Sequence, residues 1–301
     1  MASGEGGLRD ASGESGQGER PPSPILPHQS AGAKPARRRL LLRLFWLTVR
    51  TNLVSFRSSH CLALSFISLF LFPYCYQPAA DLVADYDVCP ACFSDPHRVF
   101  LYLWIAGFLA LTCGLLMPAL LSHGWSREGT TDHCSQIYLR AGFSPSRTFQ
   151  VLYFARFLSL AWVSGAVNTL AFVHYRRLEV RLPAEHFVTA YGLSLLLGGV
   201  SLALFFRLRL ALRSTFIAYC SGFVMLTAFY VIAVFSPAIG WLDPISVISP
   251  FHHLLFVTTS FAFDPLRTGC SALILLTYQT LLVVLCLRRL EREANWAKDS
   301  A

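Results

Sequence analysis

Six apolar stretches punctuate the chain at 59–77, 99–121, 149–172, 187–206, 215–235 and 269–287. Each is close to the length of about 20 residues that a helix needs to cross a hydrocarbon core. The first is the least regular, because Pro73 interrupts it. Between the second and third lies "SREGTTDHCSQIYLRAGFSPSRTFQ", Ser126 to Gln150, the longest polar stretch between the first and last of these spans. Its pattern predicts a short helix capped by Thr130 or Thr131 and running to Ala141. Gly142 stops it, and Ser144 and Pro145 form the cap and first residue of the third span.

The flanks read differently. Residues 1–36 are rich in Gly, Ser, Pro and mixed charge with almost nothing apolar, which predicts a disordered tail. From Arg37 the chain reads "RRRLLLRLFWLTVRTNLVSFRSS". Wound at 100° per residue, Arg39, Arg43, Arg50 and Arg57 fall within about 40° of one another. Leu40, Leu44, Trp46, Leu47 and Val54 fill much of the remainder. This predicts an interfacial helix over 37–57, lying in the headgroup plane with its arginines toward phosphates. The alternative is a basic flank of the first span. Between spans five and six, Pro237, Asp243-Pro244 and Ser249-Pro250 break the pattern. There Ser249 caps a short helix with Pro250 at its first position, and Phe251, Leu254, Leu255 and Phe256 dip into the bilayer without crossing it. The expected fold is an all-α membrane protein. It has six transmembrane helices, an N-terminal interfacial helix and a short half-buried outer helix between spans five and six.

Composition agrees: of 301 residues, 54% are hydrophobic and 14% charged, where a soluble domain carries about a quarter charged. The net charge of +8 sits beside the spans, so anionic lipid headgroups explain it better than nucleic acid. Basic residues cluster before span one, after span four (Arg207, Arg209, Arg213) and after span six (Arg288, Arg289, Arg292). With six spans these regions and the Ser126–Gln150 stretch share one side, the cytoplasmic side, with both termini. Arg176, Arg177 and Arg181 disagree and fall outside.

Chemistry-bearing residues are few. In the first outer loop, Cys89 and Cys92 stand at ligand spacing with Cys75 before them and His97 after. A disulfide, no special role, and a metal site are all open. His252, His253 and Asp264 form a candidate outer gate, although histidines there also sit commonly at the interface. Five cysteines (Cys61, Cys113, Cys220, Cys270 and Cys286) read as small core residues. Asn168 is placed to join helices by a hydrogen bond, and Arg156 to snorkel toward the inner surface. No catalytic motif occurs, and no phosphate-cradling G-x-x-x-x-G-K-[ST].

"REGTTDHCSQIYLRAGFSPSRTFQVLYFARF" resembles the segment after the second span in type-2, exporter-like ATP-binding-cassette transporter permeases. The family's glutamate before Gly-Thr would be Glu128 before Gly129 and Thr130. Its short helix would run to Arg140, its Ser/Thr turn would fall at Ser144, and Arg156 would replace a usual lysine. "ISPFHHLLFVTTSFAFDP" and the ending "LRRLERE" are similar to the outer element and basic end of the gliding-motility-type permeases. Gly142 stands where proline is common, and Ser260 near a usual glycine.

The resemblance implies a permease domain over 37–292 with a coupling segment at 126–148 and a cytoplasmic tail at 293–301. It implies outward transport driven by a separate ATPase subunit, coupled through Glu128, Gly129, Thr130 and Arg140, and a second permease subunit as homo- or heterodimer. The chain would hold no cofactor of its own, and ATP and magnesium would be bound by the partner. Two rival readings are a non-transporting membrane anchor for a cytoplasmic complex and an intramembrane enzyme using His252, His253 and Asp264.

Overall fold

The computed structural model describes residues 33–54, 63, 106–122, 137–138, 140–177, 184–212, 214–236, 239, 241, 243–259 and 264–299. Every regular element among them is helical, and no strand occurs there. We number them α1 (Ala33–Val54), α2 (Ala106–Ser122), α3 (Pro145–Arg177), α4 (Ala184–Ala211), α5 (Thr215–Phe235), α6 (Asp243–Ser246), α7 (Pro250–Thr259) and α8 (Pro265–Asp299). Four of these, α3, α4, α5 and α8, are long and apolar enough to cross a membrane, the mark of a multi-pass membrane protein. The first expected span, 59–77, and the start of the second lie outside the described residues.

Several boundaries move outward. Helix α1 begins at Ala33, inside the expected tail, and α8 continues to Asp299 through the expected C-terminal tail. Alanine, arginine, lysine and glutamate at these ends are good helix formers, so a helix continues past the apolar stretch. At 33 residues α3 extends for about 50 Å, well beyond a hydrocarbon core. Local signals set its start: the Thr148 amide donates to the Ser144 carbonyl at 2.9 Å, and Pro145 takes the first helical position. At α5 the Ser214 side chain accepts from the Ile217 amide.

Residues 40–301 form one compact unit. Helix α4 is its axis, with 61% of its most apolar stretch buried, against 22% for α5 and 17% for α8. Neighbouring helices approach it where its residues are small. A Cβ at Gly198 would lie 2.8 Å from the Cys113 carbonyl oxygen of α2 and 2.7 Å from Leu160 of α3. In lipid, where water does not drive helices together, such close backbone approach supplies the packing energy. The chain runs up and down around α4. Arg209 near the end of α4 donates to the Ser122 carbonyl that ends α2, at 2.8 Å. Phe172 near the end of α3 packs on Phe187 near the start of α4, 5.1 Å between centroids.

Polar side chains join the helices inside the bundle. The Gln279 amide of α8 donates to the Tyr153 hydroxyl of α3 at 2.9 Å, and that hydroxyl donates to the Gly199 carbonyl of α4 at 3.1 Å. Asn168 does not join helices as expected: it donates to the Ser164 carbonyl one turn back on α3, at 2.8 Å. Arg156 does not snorkel. It is 2% exposed, with its guanidinium 5.0 Å from the centre of the Phe206 ring. Arg209, expected in a solvated loop, is buried because α4 carries on to Ala211.

Candidate functional site

The first site is the connector that enters α3. The Ala141 amide donates to the Ile137 carbonyl at 3.0 Å, and the Phe143 amide to the Tyr138 carbonyl at 3.2 Å. Gly142 between them has φ of 75°, the left-handed conformation that ends a helix and that glycine adopts without penalty. The expected stop therefore stands where Gly142 was read. Tyr138 and Phe143 are buried on the core that holds Phe149, Leu210 and Leu290, with their rings 6.1 Å apart. The Tyr138 hydroxyl lies 3.2 Å from the Thr48 hydroxyl of α1. This turn is therefore held at two buried aromatic residues and, through Tyr138, against α1. Of the expected coupling residues, Arg140 is exposed on this connector, while Glu128, Gly129 and Thr130 lie outside the described residues.

The second site is at the other end of α3, α5 and α8. Helix α7 starts at Pro250, as expected, with the Ser249 hydroxyl accepting from the Phe251 amide at 3.3 Å. The same hydroxyl donates to the Phe229 carbonyl of α5 at 2.8 Å. Of the four apolar residues expected to dip into the bilayer, Phe251, Leu254 and Leu255 are buried on α2, α4, α5 and α8, while Phe256 is exposed. Phe251 enters α2 at a π-helical turn, Thr112–Leu116, where a Cβ on Gly114 would lie 2.6 Å from its ring. Such single wide turns occur often at functional positions in helices.

Around α7 the expected gate residues separate into two roles. His253 is buried and its Nε2 meets the Val247 carbonyl at 3.0 Å, which fixes the turn before the helix. Burial pushes its pKa below the ordinary histidine value, and neighbouring His252 adds to this, while the Val247 hydrogen bond opposes it. His252 is half-buried: its Nδ1 lies 3.0 Å from the Ser246 hydroxyl, and its ring stacks on Phe256 at 5.4 Å. Arg267 lies over the same Phe256 ring at 5.2 Å and pairs with Asp264 at 3.1 Å. The other Asp264 oxygen accepts the Leu266 and Arg267 amides and caps α8. Asp264 thus serves as the cap of α8 and as one half of an ion pair.

Sequence reasoning missed Thr48, Tyr138, Ser246 and Arg267. The first three carry no motif. Arg267 stands three residues after Asp264, the spacing of an i,i+3 pair at a helix start, a signal present in the sequence. Cys75, Cys89, Cys92 and His97 lie outside the described residues. Among the described cysteines, Cys113 and Cys286 are buried, as expected of core residues, but Cys270 is exposed. No group of three metal-ligating side chains occurs among the described residues. The chain matches no protein-family model, and comparison with curated proteins and with solved structures returns no match.

Proposed function

We propose that the chain is the membrane-spanning permease subunit of an ATP-binding-cassette transporter, moving substrate outward when a separate ATPase subunit hydrolyses ATP. One observation carries this reading: the connector entering α3 is a helix end stopped at Gly142 and anchored through Tyr138 and Phe143. A subunit pressing on this turn would move α3, and through Gly199 and Tyr153 also α4. The buried α7 at the opposite end would then shift against α4 and α5 and open or close that end. Both termini and the connector face the cytoplasm in this reading, a second permease subunit completes the pathway, and ATP and magnesium are held by the partner ATPase.

The test is co-purification in detergent, with bound proteins identified and assayed for ATP hydrolysis. Wild type retains an ATPase subunit. Arg140→Glu, on the exposed connector, and Glu128→Lys each weaken that retention by about tenfold, the size of a lost charge-assisted contact of roughly 1.5 kcal/mol. A folded wild type that retains no ATPase removes the transport mechanism and favours a plain membrane anchor.

A further inference from the structure

Helix α1 has one face on the protein and a contrasting face turned outward. Thr48 and Val49 are buried, while Leu41, Leu44 and Leu53 pack on the core that contains Tyr138 and Phe143. At 100° per residue the opposite side carries Arg43 and Arg50, about 20° apart, with Trp46 beside them. Both arginines are exposed, as are Leu42 (59%), Trp46 (56%) and Leu47 (46%). No acidic residue occurs anywhere from Ala33 to Val54. Water alone would leave a tryptophan and three leucines, Leu40 among them, exposed beside these cations. A bilayer surface with anionic headgroups accepts both at once: phosphates take the arginines, and the acyl boundary takes the ring and the leucines.

We propose that α1 reads the anionic lipid content of the membrane surface through Arg43, Arg50 and Trp46, and passes it to the connector through the Thr48–Tyr138 contact. The regulatory half of this inference rests on the connector being the coupling element proposed above. Thr48 faces away from the arginines, and its hydroxyl lies 3.2 Å from that of Tyr138, which is 1% exposed. Seating α1 on anionic headgroups therefore restrains Thr48 and, through it, the turn that enters α3.

The test is amide hydrogen exchange on the full chain in nanodiscs of phosphatidylcholine, with or without phosphatidylglycerol. Anionic lipid should slow exchange over both 40–54 and 137–144. At about fivefold for each arginine near an anionic surface, the two together give roughly twenty- to thirtyfold. High salt should reverse it. Arg43→Gln with Arg50→Gln should abolish the slowing in both segments. Thr48→Val, which keeps shape but not the hydroxyl, should leave it in 40–54 and remove it from 137–144. Exchange in α4 reports that each variant is folded. Equal exchange in the two bilayers overturns the proposal, and so does protection that arises only when a soluble protein is added. No ATPase is present in this measurement. A lipid effect with no ATPase binding elsewhere would therefore keep lipid reading and discard only its role in transport.

Discussion

At Ser249 one hydroxyl serves two elements, accepting from the Phe251 amide that opens α7 and donating to the Phe229 carbonyl of α5. Sequence rules foresaw the first contact and had no access to the second. The same holds for His253, three residues into α7, whose ring meets the Val247 carbonyl. Its folded pKa lies below its unfolded value, because burial and His252 disfavour the charged form. The stability tied to neutral His253 is therefore complete above the ordinary histidine pKa of about 6.5, and is lost as pH falls below it. Thermal unfolding in detergent should show Tm declining as pH drops from about 7.5 to about 5.5, and His253→Gln should flatten that decline. An unchanged slope in the variant would assign the effect elsewhere. Asn168 and Arg156 were misread for a common reason. The sequence shows that a polar residue lies in a span, but not toward which side the helix turns it.

Among the elements, α2 and α7 depend on each other. The wide turn at Thr112–Leu116 and the absent side chain at Gly114 make the room that Phe251 occupies. A methyl at Gly114 would also lie 2.7 Å from Leu197, which, like Phe251, has no exposed surface to yield into. Gly114→Ala should therefore destabilise by about 1–3 kcal/mol, in spite of the gain of about 1 kcal/mol that alanine usually brings to a helix. A lowered Tm, only partly restored by adding Phe251→Leu because the Leu197 contact remains, checks this; a raised Tm would show that the turn yields. In the same way Tyr153→Phe removes the junction of α3, α4 and α8. It should cost about 0.6 kcal/mol, and less than about 2, the range for hydrogen bonds between membrane helices. Unfolding of Tyr153→Phe beside Gln279→Leu measures it, and a Tyr153→Phe protein as stable as wild type would mean the link carries no energy. Helix caps, by contrast, were legible: Ser144, Ser249 and Gly142 act within a few residues, so local sequence contains all that they need.

At the level of the whole molecule, α4 sits amid its neighbours while α5 and α8 keep most of their surface exposed. The arginines at the ends of α4 and α8 gather at the end of the bundle that also holds the connector, since Leu210 and Leu290 share a core with Tyr138. That gathering is the charge asymmetry from which an inward orientation of this end was read. Protease-cleavable tags at the two termini should both be protected in intact cells and both be cut after permeabilisation. Cleavage of one tag alone from outside would require an odd number of spans.

The sequence by itself determined that the regular elements among the described residues are all helical, with several membrane-length helices. Apolar length and the local chemistry of caps settle that much residue by residue. It also placed Gly142, Ser144 and Ser249 at the turns they make. Only the tertiary structure decided that Phe251, Leu254 and Leu255 of α7 pack on neighbouring helices, that Asp264 is a cap with Arg267, and that Arg156 points inward. It also decided that α1 grips the connector through Thr48. Each of these depends on which face of a helix meets which neighbour. In uniformly apolar helices no polar stripe marks that face, so the choice rests on the fit of small residues such as Gly114 and Gly198 against distant side chains.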